Sequence, residues 1–267
     1  MTSMPESEVD ETSSADAESA DWHARVVRRS LRTATKRSID RGSGLIRAAA
    51  ALLERSDGDG FTVQDVADEA GQSLRTLYQY FESKDDLLLA VFEESMRTYA
   101  RMLRKAVVDL SDPLERLGGA IVAAVRMSEF SGTGVDRGLA GLRLKLREVK
   151  PELVARSQEP VTAFVRELVN DAAAAGQVRT SDPDGATYMI MALKAAFITS
   201  QTLGNDTAAN LPTVSTLTSF CLAGLGAPRD EAWIEAVGAK LQMPERLRLK
   251  PQSRAKRPAR AGRKSAG

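Results

Sequence analysis

Residues 62 to 84 constrain the fold of this chain more than any other segment. They contain two short apolar stripes separated by Gly71, whose backbone freedom permits a sharp turn. The first stripe has the i, i+3, i+4, i+7 spacing of a half-buried helix and consists of Val63, Val66, Ala67 and Ala70. In the second, Leu77 and Phe81 lie four residues apart and share one helix face. The pattern predicts two short helices joined by a tight turn.

The second of these helices carries more large polar and aromatic side chains than its small size requires. Ser73 is a suitable N-cap for it. The side chains outside its apolar face are Arg75, Thr76, Tyr78, Gln79 and Tyr80. This pattern favours a helix-turn-helix that contacts DNA. The alternative is a purely structural helix pair, since such pairs also occur in helical proteins that never bind nucleic acid.

Residues 41 to 92 together resemble the DNA-binding domain of the TetR family of transcriptional regulators. An apolar first helix begins the resemblance, with Leu45, Ile46, Ala48, Ala49, Leu52 and Leu53. The rest of the motif follows at the expected spacing: Phe61, Thr62, Val63, Ala70, Gly71, Thr76, Leu77, Tyr78, Tyr80, Phe81, Ser83, Lys84, Leu87 and Leu88. The resemblance implies a three-helix DNA-binding domain in front of a larger helical domain for ligand binding and dimerisation.

The resemblance also assigns roles to individual side chains. The residues expected to bind phosphates are Thr62, Gln64, Thr76, Tyr78 and Lys84. Those better placed to approach bases are Ser73, Leu74, Arg75, Gln79 and Tyr80. Arg75 is the natural guanine-binding residue among them because its guanidinium can donate two hydrogen bonds to one base edge.

Composition agrees with an all-α protein. The chain has 267 residues, 43% of them hydrophobic but only 5% aromatic, and no segment shows the period-two alternation of a strand. No apolar run approaches the ~20 residues of a membrane span. The N-terminus is acidic, unlike a signal peptide, and Cys221 is the single cysteine. We therefore expect a cytoplasmic protein that associates with the nucleoid when bound to DNA, and no membrane partner.

Charge divides the chain into five segments, although its net charge is only +1. Residues 1–24 carry seven acids and no Lys or Arg and are expected to form a disordered acidic leader. A basic arm follows at 25–40, directly before the DNA-binding domain at 41–92. The helical ligand-binding and dimerisation domain spans 93–244, and a disordered basic tail spans 245–267. The arm could follow the DNA backbone or enter the minor groove; a solvated, partly helical leader without a site is the alternative.

Caps and breakers predict the helix boundaries of the larger domain. Asp112-Pro113 and Asp182-Pro183 each combine an N-cap with a first-turn proline. A long fourth helix is expected from Ser83 towards Leu110, and Pro151 marks another start. Pro160 is either a further boundary or a kink. Three breaks complete the prediction: 131–134, Gly176 and 204–206.

In the family that the chain resembles, the last two long helices form a homodimer, here about Asp182–Leu203 and Leu211–Leu225. Their apolar stripes consist of Ala186, Met189, Ile190, Leu193, Ala196 and Phe197, and of Val214, Leu217, Cys221 and Leu225. Either stripe could instead face the protein's own core. A small-molecule effector is expected inside the larger domain, where the pocket candidates are Met96, Tyr99, Met102, Met127, Phe130, Phe164, Tyr188, Met191 and Phe197. Methionine in such positions also serves as ordinary core filler.

The sequence argues against an enzyme. His23, the single histidine, lies in the acidic leader, so no His-based triad or metal cluster is expected. No nucleotide-binding loop or zinc-ligand spacing occurs, and no cofactor or metal is predicted. The sequence therefore predicts a ligand-responsive repressor that binds a palindromic double-stranded DNA operator as a dimer. The alternative is a protein that organises DNA through its basic arms without choosing a sequence.

Overall fold

A computed structural model describes residues 11–55, 60–130, 146, 151–203 and 212–243. This part of the chain contains helices and no strand, which confirms the predicted all-α class. In chain order the helices are α1 (Glu11–Arg55), α2 (Val63–Glu69), α3 (Leu74–Tyr80), α4 (Lys84–Ala106), α5 (Pro113–Phe130), α6 (Pro151–Ala174), α7 (Pro183–Leu203), α8 (Val214–Gly224) and α9 (Glu231–Lys240).

The first apolar core holds α1, α2 and α3 against the beginning of α4. Leu45, Ala49 and Leu53 of α1 are at most 2% exposed and pack with the apolar faces of α2 and α3. Leu146 and Val154, from the larger part of the chain, belong to the same core. The N-terminal unit, which we define as residues 41–92, is thus completed by the side chains of Leu146, Leu153 and Val154.

The second core lies among α4 to α9. Its largest fully buried side chains include Phe164 and Leu168 of α6, Leu114 and Leu117 of α5, and Leu222 of α8. Helix α4 belongs to both cores, because Phe92 packs in the first and Leu103 in the second. One continuous helix therefore connects the N-terminal unit to the larger bundle.

The helix starts that local sequence signals predict are confirmed. Thr62, Ser73 and Ser83 each accept a hydrogen bond from the backbone N–H three residues later, as N-caps do. Asp112 and Asp182 accept equivalent hydrogen bonds at the starts of α5 and α7. α6 begins at Pro151, as expected for a first-turn proline.

Some boundaries differ from the prediction. Pro160 lies inside α6, so a break there is wrong, and flanking apolar residues such as Val161 and Phe164 hold the helix together in the core. α9 was not expected; its signal is Asp230, whose side chain accepts a hydrogen bond from the Trp233 backbone. The predicted breaks at 131–134 and 204–206 and the tail at 245–267 lie outside the described residues.

α1 is much longer than the first helix of the sequence prediction. It begins at Glu11 and includes both the second half of the acidic leader and the whole basic arm. The sequence provides a physical reason, since residues 11–41 contain many Ala and Arg residues and neither Gly nor Pro. For residues 11–24 the structure therefore shows helix where the sequence predicted disorder.

Candidate nucleic-acid interface

The start of α2 is fixed by a capping box between Thr62 and Asp65. The Thr62 backbone N–H donates to the Asp65 carboxylate at 2.6 Å, and the Asp65 N–H donates to the Thr62 hydroxyl at 3.2 Å. The backbone hydrogen bond from Thr62 is the main reason why the pKa of Asp65 lies below its usual value. Thr62 and Gln64 are exposed at this helix start, and the Gln64 amide donates to Asp68 at 2.8 Å.

The turn at Gly71 and the N-cap of α3 come directly after α2 in the chain. Gly71 has φ of +63°, which favours glycine. The Ser73 hydroxyl accepts from the Thr76 N–H at 3.1 Å and also lies 2.9 Å from the Thr76 hydroxyl. Ser73 is exposed and Leu74 is half-buried at this end of the helix. The N-terminus of α3 is thus held in place beside exposed polar groups.

α3 presents one polar face to solvent and buries the opposite face. Leu77 is fully buried and Phe81, directly after the helix, is 8% exposed. Arg75, Tyr78 and Gln79 are exposed on the other side, at the i, i+3 and i+4 spacing of one helix face. We call these three residues the outward-facing trio. Their position gives one compact face of hydrogen-bond donors and acceptors with a rigid backbone behind it.

Two residues predicted to contact DNA, Tyr80 and Lys84, also make contacts within the protein. The Tyr80 hydroxyl lies 3.1 Å from the Ser38 hydroxyl, and its ring lies so close to Gly42 that a Cβ there would be 3.4 Å from the ring. The Lys84 ammonium donates to the Phe61 carbonyl at 2.5 Å and lies 4.5 Å from the centre of the Phe61 ring. Tyr80 therefore ties α3 to α1, and Lys84 ties the start of α4 to the loop before α2.

Sequence reasoning missed one ion pair that joins α1 to α2. Arg55 donates two hydrogen bonds to the Glu69 carboxylate, at 2.7 and 3.2 Å. These bonds from Arg55 lower the pKa of Glu69. The two residues are fourteen positions apart, a separation that no helix periodicity predicts.

Six of the nine predicted pocket residues belong to the second core, and they lie on α4, α5, α6 and α7. The second core contains the fully or partly buried side chains of Tyr99, Met102, Met127, Phe164, Met191 and Phe197. Met96 packs on the first core instead. Tyr188 does not lie in the interior, because its position on α7 turns it to solvent with 69% exposure. The Phe130 side chain lies outside the described residues.

A cation lies among these residues. Lys194 of α7 is 8% exposed, and its ammonium lies 5.4 Å from the centre of the Tyr99 ring. The Tyr99 hydroxyl donates to the Ala124 carbonyl of α5 at 3.2 Å. Sequence reasoning did not select Lys194, although its place three residues after Met191 puts both on the same side of α7.

One face of α7 and α8 is apolar and open to solvent. Tyr188, Met189 and Phe220 are 69, 56 and 65% exposed, respectively. Ala192, Ala196 and Ala223 are also exposed and lie at helical spacing from them. We call these six residues the α7–α8 face. The predicted α8 stripe of Val214, Leu217, Cys221 and Leu225 packs instead in the protein's own core.

The family whose description is "Bacterial regulatory proteins, tetR family" matches residues 45–91, the segment that contains the capping box and the outward-facing trio. Residues 45–91 therefore form a DNA-binding segment of the TetR type. The chain is 32% identical over 95 residues to the HTH-type transcriptional regulator HbdR of Aromatoleum sp. (strain CIB), covering 36% of this chain and 42% of the relative. It is 26% identical over 125 residues to the fatty acid metabolism regulator protein of Bacillus subtilis (strain 168), covering 46% of this chain and 62% of the relative.

Solved structures extend the likeness in fold to the larger bundle. RolR in complex with resorcinol matches with a TM-score of 0.58 and 19% identity, covering 79% of this chain and 98% of RolR. FadR from Bacillus halodurans matches with a TM-score of 0.55 and 23% identity, covering 68% of this chain and 98% of FadR. At these identities the likeness establishes the fold. The curated relatives are matched over only about two to three fifths of their own length.

Other kinds of site find little support in the described residues. No cluster of three or more potential metal ligands occurs in this part of the chain. Burial raises the pKa of the Cys221 thiol to about 11, so the thiolate that oxidation or metal binding needs is scarce. Among the described helices, none is long and apolar enough to cross a membrane.

Proposed function

We propose that this protein is a sequence-specific transcriptional regulator that binds a palindromic operator as a homodimer and releases it when a small molecule binds inside the larger bundle. The observation that carries the proposal is the outward-facing trio on α3. Its backbone is fixed by the Ser73 cap, the buried Leu77 and the Tyr80–Ser38 contact. Groups held this rigidly can enter a major groove without a large loss of conformational entropy.

The roles within this surface follow from position. Arg75 and Gln79 are exposed on the outward face of α3 and approach base edges. Thr62, Gln64, Ser73, Thr76 and Tyr78 lie at the starts of α2 and α3 or beside them and bind phosphates through hydroxyls, amides and backbone N–H groups. Lys84 and Tyr80 act mainly by fixing the geometry of this surface.

Homodimer formation through the α7–α8 face supports the palindrome. Three large apolar side chains of α7 and α8 are exposed in the single chain, and three exposed alanines on the same helices allow close approach of a second copy. A two-fold axis through this face turns one α3 contact into two, and it requires an operator with the same symmetry.

The first experiment is to select bound duplexes from random DNA in vitro with the purified protein. We expect an inverted repeat and a preference of roughly 10³ or more over random DNA at physiological salt. In the same assay, Arg75→Ala is expected to relax the preference at one base pair of each half-site by about 1–3 kcal/mol. Arg101→Ala is the control, because Arg101 is equally exposed on α4 and pairs with Glu94.

Two results would contradict this assignment. A selection that yields no preferred sequence would favour the alternative, a protein that organises DNA without sequence choice. If Arg75→Ala loses the same amount of affinity for selected and for random duplex, Arg75 contacts a phosphate and not a base.

The effector site is proposed among the interior residues around Lys194. Methionines at positions 102, 127 and 191 can adapt to an apolar ligand. A ligand that brings a hydrogen-bond acceptor or a negative charge near Lys194 gains a charge-assisted hydrogen bond there. The proposed effector is therefore an apolar or aromatic molecule with one acidic or strongly accepting group.

Two structural links can carry the effect of such a ligand to DNA. α4 contributes Tyr99 to the interior and Phe92 to the first core, and α6 contributes Phe164 and Val154 in the same way. A ligand that favours one arrangement of α4 and α6 therefore also favours one position of the N-terminal unit.

A screen of aromatic and aliphatic acids tests the effector proposal. The expected compound raises the melting temperature of the protein and lowers its affinity for the operator. Lys194→Met is expected to weaken both effects. The melting temperature of the variant without compound shows whether the substitution itself disturbs folding. A compound that dissociates the operator equally well from Lys194→Met would place the acidic group elsewhere. Neutral compounds acting as strongly as acids would contradict the proposed effector class.

A further inference from the structure

The unexplained feature of the N-terminal region is its charge distribution. Residues 41–84 contain seven acids and five bases, so the surface that carries α2 and α3 is not itself basic. Residues 25–41, directly before it, contain seven bases and one acid. DNA affinity that depends on phosphate neutralisation needs cations, and here they are concentrated outside the N-terminal unit.

These cations lie on a helix and not on an irregular arm. α1 continues without interruption through residues 25–41 into the part that packs in the first core. Every residue from Val26 to Arg41 is exposed. The orientation of this helix is therefore set by the packed part of α1, and its side chains are available to a partner.

The helical period collects four of the basic residues into a single row. With about 100° per residue, Arg28, Arg29, Arg32 and Lys36 fall within roughly a 100° sector. Arg37 and Arg41 lie on the opposite side. The row rises by about 12 Å from Arg28 to Lys36, which matches roughly three phosphates along one DNA strand at about 3.4 Å of axis each.

The Lys36 end of the row lies close to the DNA-facing helix. Ser38, two residues after Lys36, contacts the Tyr80 hydroxyl at the end of α3. A duplex contacted by the outward-facing trio therefore lies near this end of the row. At 100° per residue Ser38 itself falls on the side of Arg37 and Arg41, so the contact fixes the distance along α1, and the density of positive charge selects the row.

We propose that residues 25–41 bind the DNA backbone beside each half-site as a helix, with Arg28, Arg29, Arg32 and Lys36 as a row of phosphate contacts. This inference rests on the proposed function, because it takes the DNA position from the contacts of α3. The row lengthens the footprint of the protein without adding sequence preference, since phosphate contacts carry no direct base information.

An anionic membrane is the other surface that a basic helix can bind. Helices that lie on membranes present large apolar residues opposite the basic face. Here that opposite face has Val26, Val27, Leu31 and Ala34 as its apolar residues between Val26 and Lys36. None of these four side chains is aromatic and one of them is only alanine, so the residues favour DNA.

The test compares two double variants with identical charge, Arg28→Gln/Arg32→Gln in the row and Arg37→Gln/Arg41→Gln opposite to it. Affinity for selected and random duplexes is measured across a salt series. For the row variant we expect the slope of log K against log salt to fall by about 4 per dimer, and affinity to fall at least tenfold at about 150 mM salt. The opposite variant is expected to change the slope by less than half as much.

A third variant, Ala34→Pro, tests whether the helix itself is needed. It keeps all charges but breaks the helix between Arg32 and Lys36. We expect it to reduce the salt slope nearly as much as the row variant, with an unchanged melting temperature because the packed part of α1 is intact. Wild-type behaviour of Ala34→Pro would overturn the helical row.

The remaining outcomes of this test also support or overturn the proposal. Equal slopes for the two double variants, or no change in either, would overturn the proposal. The proposal would also be overturned if the row variant bound DNA like the wild type but no longer bound phosphatidylglycerol vesicles. The ratio of selected to random affinity should be the same in all arm variants. A wild-type ratio near one would refute the operator proposal and leave the result on the row standing, which keeps the two failures distinct.

Discussion

Phe220→Arg is expected to convert the protein to a monomer at micromolar concentration and to lower its operator affinity by roughly 100-fold or more. Phe220 is 65% exposed and is the large apolar residue of α8 in the α7–α8 face. An arginine there would place an unpaired charge where two apolar surfaces meet, and its desolvation opposes association. A monomer presents only one outward-facing trio and loses the high effective concentration of the second.

Val108→Arg is the matched control for this change. Val108 is 66% exposed, so both variants add the same charge at an equally accessible apolar residue, but Val108 follows α4 and lies outside the α7–α8 face. Sedimentation velocity and operator binding are measured on both. A dimeric Phe220→Arg with unchanged affinity would show that another surface forms the dimer. Loss of the dimer in both variants would point to a general effect of added charge.

Features decided by neighbouring residues could be predicted from the sequence. The caps Thr62, Ser73 and Ser83 act on N–H groups three residues away, so the sequence contains both partners of each bond. The same holds for the opposite faces of α3, where Leu77 and Arg75 separate by helical period alone. The helix-turn-helix was predictable because its geometry is local.

Features decided by distant residues could not be predicted. Lys84 and Phe61 are separated by 23 positions, and Tyr80 and Ser38 by 42, and only the fold brings each pair together. The apolar stripe of α8 illustrates the same limit. A stripe such as Leu217 and Cys221 indicates that one side of the helix is buried. It does not show whether the protein's own core or a second copy of the chain covers that side. The structure assigns this stripe to the core.

The long α1 shows why composition misled at the N-terminus. Low hydrophobicity and high charge predict disorder because such a segment has little to bury. α1, however, is anchored at its C-terminal end by Leu45, Ala49 and Leu53 in the first core. Adding residues to an existing helix avoids the cost of nucleation, so good helix formers extend it without burying anything.

Leu77→Ala is expected to destabilise the N-terminal unit by about 3–5 kcal/mol. We also expect it to abolish operator binding, although the buried Leu77 side chain does not contact DNA. Leu77 is fully buried, and it is the one buried residue within the seven-residue helix α3. Truncation leaves a cavity beneath the outward-facing trio, and only Phe81 and the Tyr80–Ser38 contact then hold the helix against the rest of the N-terminal unit. Leu77→Met is the matched control, since a volume-conserving change there is expected to cost less than about 1.5 kcal/mol and to retain binding.

The measurements must separate a folding defect from a lost contact. Limited proteolysis should cut Leu77→Ala between α2 and α4, while sedimentation velocity still shows a dimer, because the helices that carry the α7–α8 face pack in the second core and not in the first. Arg75→Ala should resist the protease and lose only sequence preference. Leu77→Ala that binds the operator normally would mean that α3 is held by contacts other than its buried face. Joint loss of the dimer and of α3 would mean that α4 and α6, which pack in both cores, make the two units unfold as one.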